Sequence, residues 1–188
     1  MNKYLILVNK NNKMNDESIY TKVKADSKYN DNVYIEKETY EAFLKLKDFV
    51  KEKGYIIDIE SAYRSKEHQQ RVWDETLNEK GLEHTKKYVA PPGYSEHQTG
   101  LAVDFTLYEN GRFYIDHDMN GHPVLDIVKD NLYKFGFILR YPLGKEEITG
   151  YNFEPWHLRY IKDKEIAKYI YDNNLCLEEY LNEKGRNN

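Results

Sequence analysis

The chain has 188 residues, a length that suits one domain. Hydrophobic residues make up 40% of it, enough to bury a core, and charged residues make up 32%, which gives a well-solvated surface. Its net charge of -4, without a Lys/Arg run, argues against nucleic acid as a partner, because that binding usually needs a basic face.

The apolar run at the start of the chain covers only Tyr4–Val8. It is too short for a signal-peptide core or a membrane span, so we interpret it as a short strand. If Met1 is the natural start, the protein is expected in the cytoplasm; if an export signal preceded it, the cell envelope is the alternative. The single cysteine, Cys176, excludes an intrachain disulfide, and we interpret it as core filler.

Apolar spacing and turn residues predict the elements of the first half. Phe43, Leu46 and Val50 fall on one face of a helix that Gly54 ends. Ser65 can cap a second helix, since its hydroxyl can accept a hydrogen bond from a free N–H group of the first turn. The predicted elements are a surface loop over 10–32, a helix over Glu38–Lys53, a strand over Tyr55–Ile59 and a helix from Ser65 to about Lys80, with Gly81 just beyond it.

The second half mixes strands and helices without a regular β-α-β alternation. The predicted elements are a buried strand over Leu101–Phe105, a loop over 108–121, a helix over 125–135 ended by Gly136, strands over Phe137–Leu139 and His157–Tyr160, a helix from Asp163 to about Asn173 and a last helix over Leu177–Lys184. The sequence therefore predicts an α+β fold, with a small and mostly antiparallel sheet flanked by helices, in a single domain over residues 1–188.

A carboxylate within an apolar strand is the first sign of chemistry. Asp104 stands in Leu-Ala-Val-Asp-Phe, and burying it is costly unless a cation or hydrogen bonds satisfy it. His97 lies seven residues earlier, and Gly100 between them would let the chain turn so that the two side chains converge. The alternative is that Asp104 points to the wet face of the strand and His97 is an ordinary histidine.

A second histidine could complete a metal site. His157, in Glu-Pro-Trp-His-Leu-Arg-Tyr, would give a set of two histidines and one aspartate. Three protein ligands with an open fourth position are typical of catalytic zinc, whereas structural zinc is usually closed by four. Glu154 could then lie beside the metal as a general base. The alternative is that Glu154 and His157 are ordinary strand-end residues, with Trp156 in the core.

Polar residues elsewhere could reach the same cleft. Arg64 stands where a strand ends and a helix begins, and the alternative for it is a surface salt bridge. Gln69, five residues on, could face the cleft or simply solvent. His117, with Asp116 and Asp118, forms another potential metal cluster, although such loop residues are usually just solvated.

Five segments together resemble the VanY-type D-alanyl-D-alanine carboxypeptidases, a branch of the zinc peptidases. The segments are Ser-Ala-Tyr-Arg-Ser (61–65), Ser-Glu-His-Gln-Thr-Gly-Leu-Ala-Val-Asp (95–104), Arg-Tyr-Pro (140–142), Lys-Glu-Glu-Ile-Thr-Gly (145–150) and Glu-Pro-Trp-His-Leu-Arg-Tyr (154–160). They run in order across nearly the whole chain. Within the family, the Gly81–Ala90 stretch and the long 105–136 connection look like the cytoplasmic VanXY-type enzymes of vancomycin resistance.

The resemblance implies a role for each of these residues and one Zn²⁺ per chain, with no organic cofactor. It places the zinc ligands on His97, Asp104 and His157, the catalytic carboxylate on Glu154, the transition-state arginine on Arg64, and substrate contacts on Ser95 and Gln69.

The implied reaction removes the terminal D-alanine from peptidoglycan precursor peptides that end in D-Ala-D-Ala, and the free dipeptide is a further expected substrate. An L,D-carboxypeptidase that trims tetrapeptide stems is the alternative, because those relatives share the catalytic residues. A non-catalytic wall-peptide-binding zinc domain and a phage-type endopeptidase are weaker candidates. Retention of Glu154 and Arg64 argues against the first, and the chain has no room for the wall-binding module that often accompanies the second.

Overall fold

The computed structural model describes residues 3–16 and 18–186. Its strands are β1 Lys22–Lys24, β2 Tyr34–Glu36, β3 Ile56–Ser61, β4 Ala102–Glu109, β5 Arg112–Tyr114, β6 Phe137–Tyr141 and β7 Glu154–Tyr160. Its helices are α1 Lys37–Glu52, α2 Lys66–Tyr88, α3 Pro123–Lys129, α4 Glu146–Thr149, α5 Lys164–Asp172 and α6 Leu177–Arg186. Short 3-10 turns cover Lys3–Leu5, Glu96–Thr99, Asp116–Met119 and Leu132–Phe135. No helix in the described ranges is long and apolar enough to cross a bilayer.

A five-stranded sheet carries the fold. Four strands lie in the order β3-β4-β7-β6, β5 pairs with β4, and every one of these pairings is antiparallel. A separate antiparallel ribbon joins β1 to β2. The predicted α+β class, with a small and mostly antiparallel sheet flanked by helices, is therefore confirmed. The assignment of residues 1–188 to one domain stays a prediction.

Two apolar clusters hold the helices on this sheet. Helix α1 packs Phe43, Leu46 and Val50 into the larger cluster, where each is at most 1% exposed, as the helical spacing predicts. Helices α5 and α6 belong to a smaller cluster around Ile138 of β6. Cys176 is buried, in agreement with its interpretation as core filler. At about 25 cal/mol per Å² of buried apolar surface, these contacts are the main source of stability.

Side-chain caps begin α1, α2 and α5 close to where the sequence predicts. The Glu36 carboxylate accepts a hydrogen bond from Thr39 N at 2.8 Å at the start of α1. Ser65 Oγ accepts from His68 N at the start of α2, and Asp163 Oδ1 accepts from two backbone N–H groups of α5. These acceptors satisfy N–H groups that have no partner inside the helix.

The predicted strand over Tyr4–Val8 is wrong. A 3-10 turn begins the segment, and no strand follows before Lys22 among the described residues. The buried Arg159 guanidinium donates to Tyr4 O at 3.1 Å and to Ile6 O at 2.8 Å. Backbone carbonyls that a strand would pair with a neighbour are thus satisfied by a side chain, while the apolar side chains still reach the core.

The predicted loop over 108–121 is also wrong in its first part, because β4 continues to Glu109 and turns back into β5. Asn110 and Gly111 form the turn with φ of 52° and 80°. Positive φ at both central residues is the geometry of the two-residue hairpin turn that Asn-Gly favours. The Asn-Gly dipeptide is therefore the signal in the sequence that indicates this hairpin. The polar residues around it obscure the alternation of apolar and polar residues that would indicate strands.

Helix boundaries differ from prediction at two further places. Helix α2 passes Gly81, where the backbone leaves helical geometry at φ 78° and ψ 168°, and then runs on to Tyr88. The predicted helix over 125–135 is split into α3 and the 3-10 turn Leu132–Phe135, since Asn131 has φ of -124° between them. Glycine permits positive φ at little cost, so it can mark a kink as well as a helix end.

We predict that alanine at Gly136 destabilises the fold more than alanine at Gly111. Both glycines have φ near +80°, which costs an alanine roughly 1–2 kcal/mol. A Cβ at Gly136 would also lie 2.8 Å from Lys162 O, which adds an overpacking cost of about 1–3 kcal/mol, whereas nothing lies within 4 Å at Gly111. Urea unfolding of both variants measures the difference, and equal losses of stability would contradict the predicted clash.

Candidate active site

Three potential metal ligands come together from two strands and a turn. Asp104 lies on β4 and stands opposite His157 of β7 in the antiparallel register. His97 lies in the 3-10 turn Glu96–Thr99, which Gly100 ends in the left-handed conformation. Arg64 N donates to His97 O at 3.0 Å and so ties this turn to the end of β3. The convergence that the sequence predicts for His97 and Asp104 is therefore observed.

The ligand atoms of these residues face one another. His97 Nε2 lies 3.1 Å from Asp104 Oδ2, and His157 Nδ1 lies 3.0 Å from Asp104 Oδ1. One ligand atom from each residue can be chosen so that all lie within 4.8 Å of one another. Asp104 Oδ1 is buried, and among the described residues no contact to it, the 3.0 Å approach of His157 Nδ1 included, has the angles of a hydrogen bond. Two imidazole nitrogens and a carboxylate oxygen in this arrangement fit a zinc ion with an open fourth position.

The ring nitrogens that face away from this centre also have neighbours. His97 Nδ1 lies 2.6 Å from Ala62 O, and His157 Nε2 lies 3.6 Å from Glu96 Oε2. The first histidine thus offers Nε2 to the centre and the second offers Nδ1. Burial opposes charge on His157, but Asp104 outweighs it and raises the pKa of the imidazole to about 9.

Glu154 lies beside the three residues, at the first position of β7. Its Oε2 is 3.7 Å from His157 Nδ1, and the side chain is buried. Burial raises the pKa of Glu154 to about 8; His157 opposes the shift, and the negative charges of Asp104 and Asp116 add to it. A carboxyl group whose pKa lies near neutrality is suited to accept a proton and to give it back.

Arg64 enters the cleft from the end of β3, where neighbours fix its guanidinium. Nη1 donates to Gln69 Oε1 at 3.0 Å, Nη2 donates to Ser61 Oγ at 2.9 Å, and Nη2 lies 3.9 Å from Asp104 Oδ2. It is therefore not a surface salt-bridge residue. Gln69 does not face solvent, which was the alternative to a position in the cleft. Its side chain is 1% exposed, and its Nε2 donates to Ala90 O at 2.7 Å.

All seven predicted site residues line one cleft of about 260 Å³. Ser95 is buried beside the turn that holds His97. Aromatic residues form much of the remaining wall, namely Tyr88, Tyr141, Tyr151 and Trp156. The contacts of Ser95 and Gln69 with a substrate stay predictions.

The segment after β5 also reaches the cleft, through Asp116 and His117. The ring of His117 contacts that of Trp156 at a centroid distance of 4.8 Å. In the described part of the chain, the group of His97, Asp104 and His157 is the one that brings metal-ligating atoms together, so a metal cluster at His117, Asp116 and Asp118 does not form.

Sequence reasoning missed four charged residues at the site, Glu60, Glu96, Arg140 and Arg159, and it considered Asp116 only as part of a potential metal cluster. Glu60 and Asp116 line the cleft, and burial is the main cause that raises the pKa of Glu60 to about 8 and that of Asp116 to about 6. Glu96 is enclosed between Arg140 and Arg159, and all three side chains are fully buried. Both arginines and Glu96 lie within the segments that resemble the family, but a buried charge cannot be distinguished from a solvated one by residue type.

Comparison with known proteins agrees with this geometry. Residues 32–163 match the family model VanY: D-alanyl-D-alanine carboxypeptidase. The chain is 46% identical over 148 residues to the putative carboxypeptidase YodJ of Bacillus subtilis, covering 79% of this chain and 54% of the relative. It is 38% identical over 163 residues to the bifunctional D-Ala-D-Ala dipeptidase and carboxypeptidase VanXYC of Enterococcus gallinarum, covering 84% of this chain and 83% of the relative.

Solved structures share the fold. The LdcB LD-carboxypeptidase superposes with a TM-score of 0.82 at 40% identity, over 95% of this chain and 86% of the other. A vancomycin resistance D,D-pentapeptidase VanY, solved in complex with Zn(II), superposes with a TM-score of 0.83 at 36% identity, over 95% and 99% of the two chains.

The chain spans about half the length of the Bacillus relative, 54%, but most of the VanXYC relative, 83%. The match over residues 32–163 covers the strands and turn that carry the whole ligand cluster. By that match and the 38% identity to the VanXYC relative, of which it covers 83%, the chain belongs to the VanY family of D-alanyl-D-alanine carboxypeptidases.

Proposed function

We propose that the protein is a zinc-dependent D,D-carboxypeptidase that removes the terminal D-alanine from peptidoglycan precursor peptides ending in D-Ala-D-Ala. One observation carries the proposal: His97, Asp104 and His157 present their ligand atoms to one another in the cleft that also holds Glu154 and Arg64. Zinc held by the three ligands would polarise the scissile carbonyl and activate the attacking water. The VanY structure with Zn(II) supports the choice of metal.

The chain supplies the proton transfer and part of the charge stabilisation. Glu154, held beside His157 Nδ1, takes the proton of the attacking water and passes it to the leaving amine as the peptide bond breaks. The Arg64 guanidinium donates to the oxygen on which negative charge develops, and Gln69 and Ser61 hold it in place for that task. A module that only binds peptide needs neither group, which favours an enzyme.

The free dipeptide D-Ala-D-Ala is a second proposed substrate. The relative VanXYC is named for both a dipeptidase and a carboxypeptidase activity, and it aligns over 84% of this chain. Asp116 and His117 bring the connection after β5 to the cleft, where this segment can limit how much peptide fits on the amino side of the cut bond. The cytoplasmic location stays a prediction.

A second candidate function is L,D-carboxypeptidase activity on tetrapeptide stems. The observation in its favour is the 40% identity to the LdcB LD-carboxypeptidase, which is higher than the 36% identity to the VanY structure. Both activities can use the same ligands, base and arginine, so the difference lies in the walls that contact the residue before the cut bond.

We predict that the purified protein holds about one zinc per chain. His97→Ala removes one of three protein ligands, and we expect it to abolish both zinc binding and activity. Elemental analysis after zinc-replete purification and dialysis measures the metal. A wild-type content near zero would contradict the assignment of the ligands.

We predict that Glu154→Gln retains zinc but lowers turnover by at least about a hundredfold, because a general base typically contributes a factor of 10² to 10⁴. Arg64→Ala should reduce turnover on a similar scale, also with zinc retained. Steady-state kinetics and metal analysis on the same preparations separate the two roles. Loss of zinc from the Glu154 variant would show that this residue is a ligand instead.

We predict cleavage of a pentapeptide stem ending in D-Ala-D-Ala and of free D-Ala-D-Ala, with no cleavage of a tetrapeptide stem. D-alanine release from the three peptides is the measurement. Shortening the connection between β5 and α3 should favour the pentapeptide over the dipeptide, because Asp116 and His117 then leave the cleft wall. Cleavage of the tetrapeptide alone would assign the protein to the L,D-carboxypeptidases.

A further inference from the structure

Glu96 is a fully buried carboxylate whose two oxygens have different surroundings. Its Oε1 accepts hydrogen bonds from Arg140 Nε at 2.7 Å and from Arg159 Nη1 at 2.5 Å. Its Oε2 has no hydrogen-bond partner within the described part of the chain. Burying a carboxylate costs free energy unless its oxygens accept hydrogen bonds or pair with charges. The two arginines satisfy only one of the two oxygens of Glu96.

The nearest polar atom to the free oxygen belongs to a zinc ligand. His157 Nε2 lies 3.6 Å from Glu96 Oε2, and this nitrogen is likewise buried without another hydrogen-bond partner among the described residues. The opposite ring nitrogen, Nδ1, faces Asp104 Oδ1 at 3.0 Å. Each unpaired atom therefore has the other as its natural partner, on the side of the imidazole that faces away from the metal centre.

We propose that Glu96 is a positioning residue that holds the proton of His157 on Nε2 and thereby leaves the Nδ1 lone pair for zinc. The inference rests on the zinc site of the proposed function. His97 shows the same principle with the nitrogens exchanged, since Ala62 O lies 2.6 Å from its Nδ1 and Nε2 faces Asp104. A carboxylate or carbonyl behind a metal-bound histidine fixes the tautomer and the ring orientation.

The arginines make this role specific to a carboxylate. Because Arg140 and Arg159 only donate hydrogen bonds, they require an acceptor at Oε1. In Glu96→Gln the amide oxygen must occupy that position, and the amide NH₂ group then takes the place of Oε2. It would donate toward His157 Nε2, which must accept, and the proton would move to Nδ1, where zinc needs a lone pair.

Glu178 provides a matched control. Its carboxylate binds the Arg140 guanidinium through two hydrogen bonds of 2.8 and 2.7 Å and accepts from Asn9 Nδ2 at 3.0 Å. Glu178→Gln therefore also removes a negative charge from Arg140, while the Glu96–His157 pair stays intact. Both variants weaken the same buried network, and only Glu96→Gln places a donor instead of an acceptor opposite His157 Nε2.

The test compares zinc dissociation constants of the wild type, Glu96→Gln and Glu178→Gln, measured by competition with a chromogenic chelator. We expect zinc binding to weaken by about 10- to 100-fold in Glu96→Gln. We expect a value close to that of the wild type in Glu178→Gln. Unchanged affinity in Glu96→Gln, or an equal loss in both variants, would overturn the inference while leaving the proposed function intact. A wild type without zinc would overturn both.

A measurement on the wild type keeps the inference testable if Glu96→Gln does not fold. Long-range ¹⁵N–¹H correlation spectra of the zinc-loaded protein report which nitrogen of each histidine carries a proton. We expect His157 to be protonated at Nε2 and metal-bound at Nδ1, and His97 to show the opposite assignment. Metal binding through Nε2 of His157 would contradict the role of Glu96.

Discussion

The antiparallel pairing of β4 with β7 is the constraint on which the site depends. It sets Asp104 opposite His157, so that two potential ligands share one face of the sheet. A slip of one residue would turn one of these side chains to the other face and remove the site. Buried apolar residues on both sides of Asp104, Val103 and Phe105, favour this register, because a slip would expose apolar surface to water.

The cleft gathers more negative charge than its own basic residues neutralise. Burial is the first cause that raises the pKa of Glu154 and Glu60 to about 8, and the charge of Asp104 adds to both shifts. Arg64 opposes these shifts, but its half-buried guanidinium also donates hydrogen bonds to Gln69 and Ser61. A dication at the centre would favour the ionised form of every carboxylate around it. The negative charge of the cleft and the geometry of the ligand atoms therefore both favour a divalent cation at the centre.

Sequence patterns predict elements whose apolar residues recur at a regular spacing, and they miss contacts between residues far apart in the chain. The spacing of Phe43, Leu46 and Val50 predicts α1 almost to its ends, because it depends only on neighbouring turns. The segment Tyr4–Val8 has the composition of a strand. However, the Arg159 guanidinium of β7, more than 150 residues away, donates hydrogen bonds to two of its carbonyl oxygens. Residue types and spacing indicated the ligand set as one of two interpretations, the family resemblance favoured it, and the fold brings one ligand atom of each residue within 4.8 Å of the others.

The segments that resemble the family contain more than their catalytic residues, and the buried network explains part of the remainder. Ser-Glu-His carries Glu96 beside His97, Arg-Tyr-Pro carries Arg140, and Trp-His-Leu-Arg carries Arg159 two residues after His157. Residues two apart on a strand share a face, so Arg159 lies on the side of β7 from which His157 reaches Glu96. The segment that supplies His157 therefore also supplies Arg159, whose guanidinium pairs with the Glu96 carboxylate beside that histidine. The same short segments consequently supply both the proposed metal ligands and the buried ion pairs next to them.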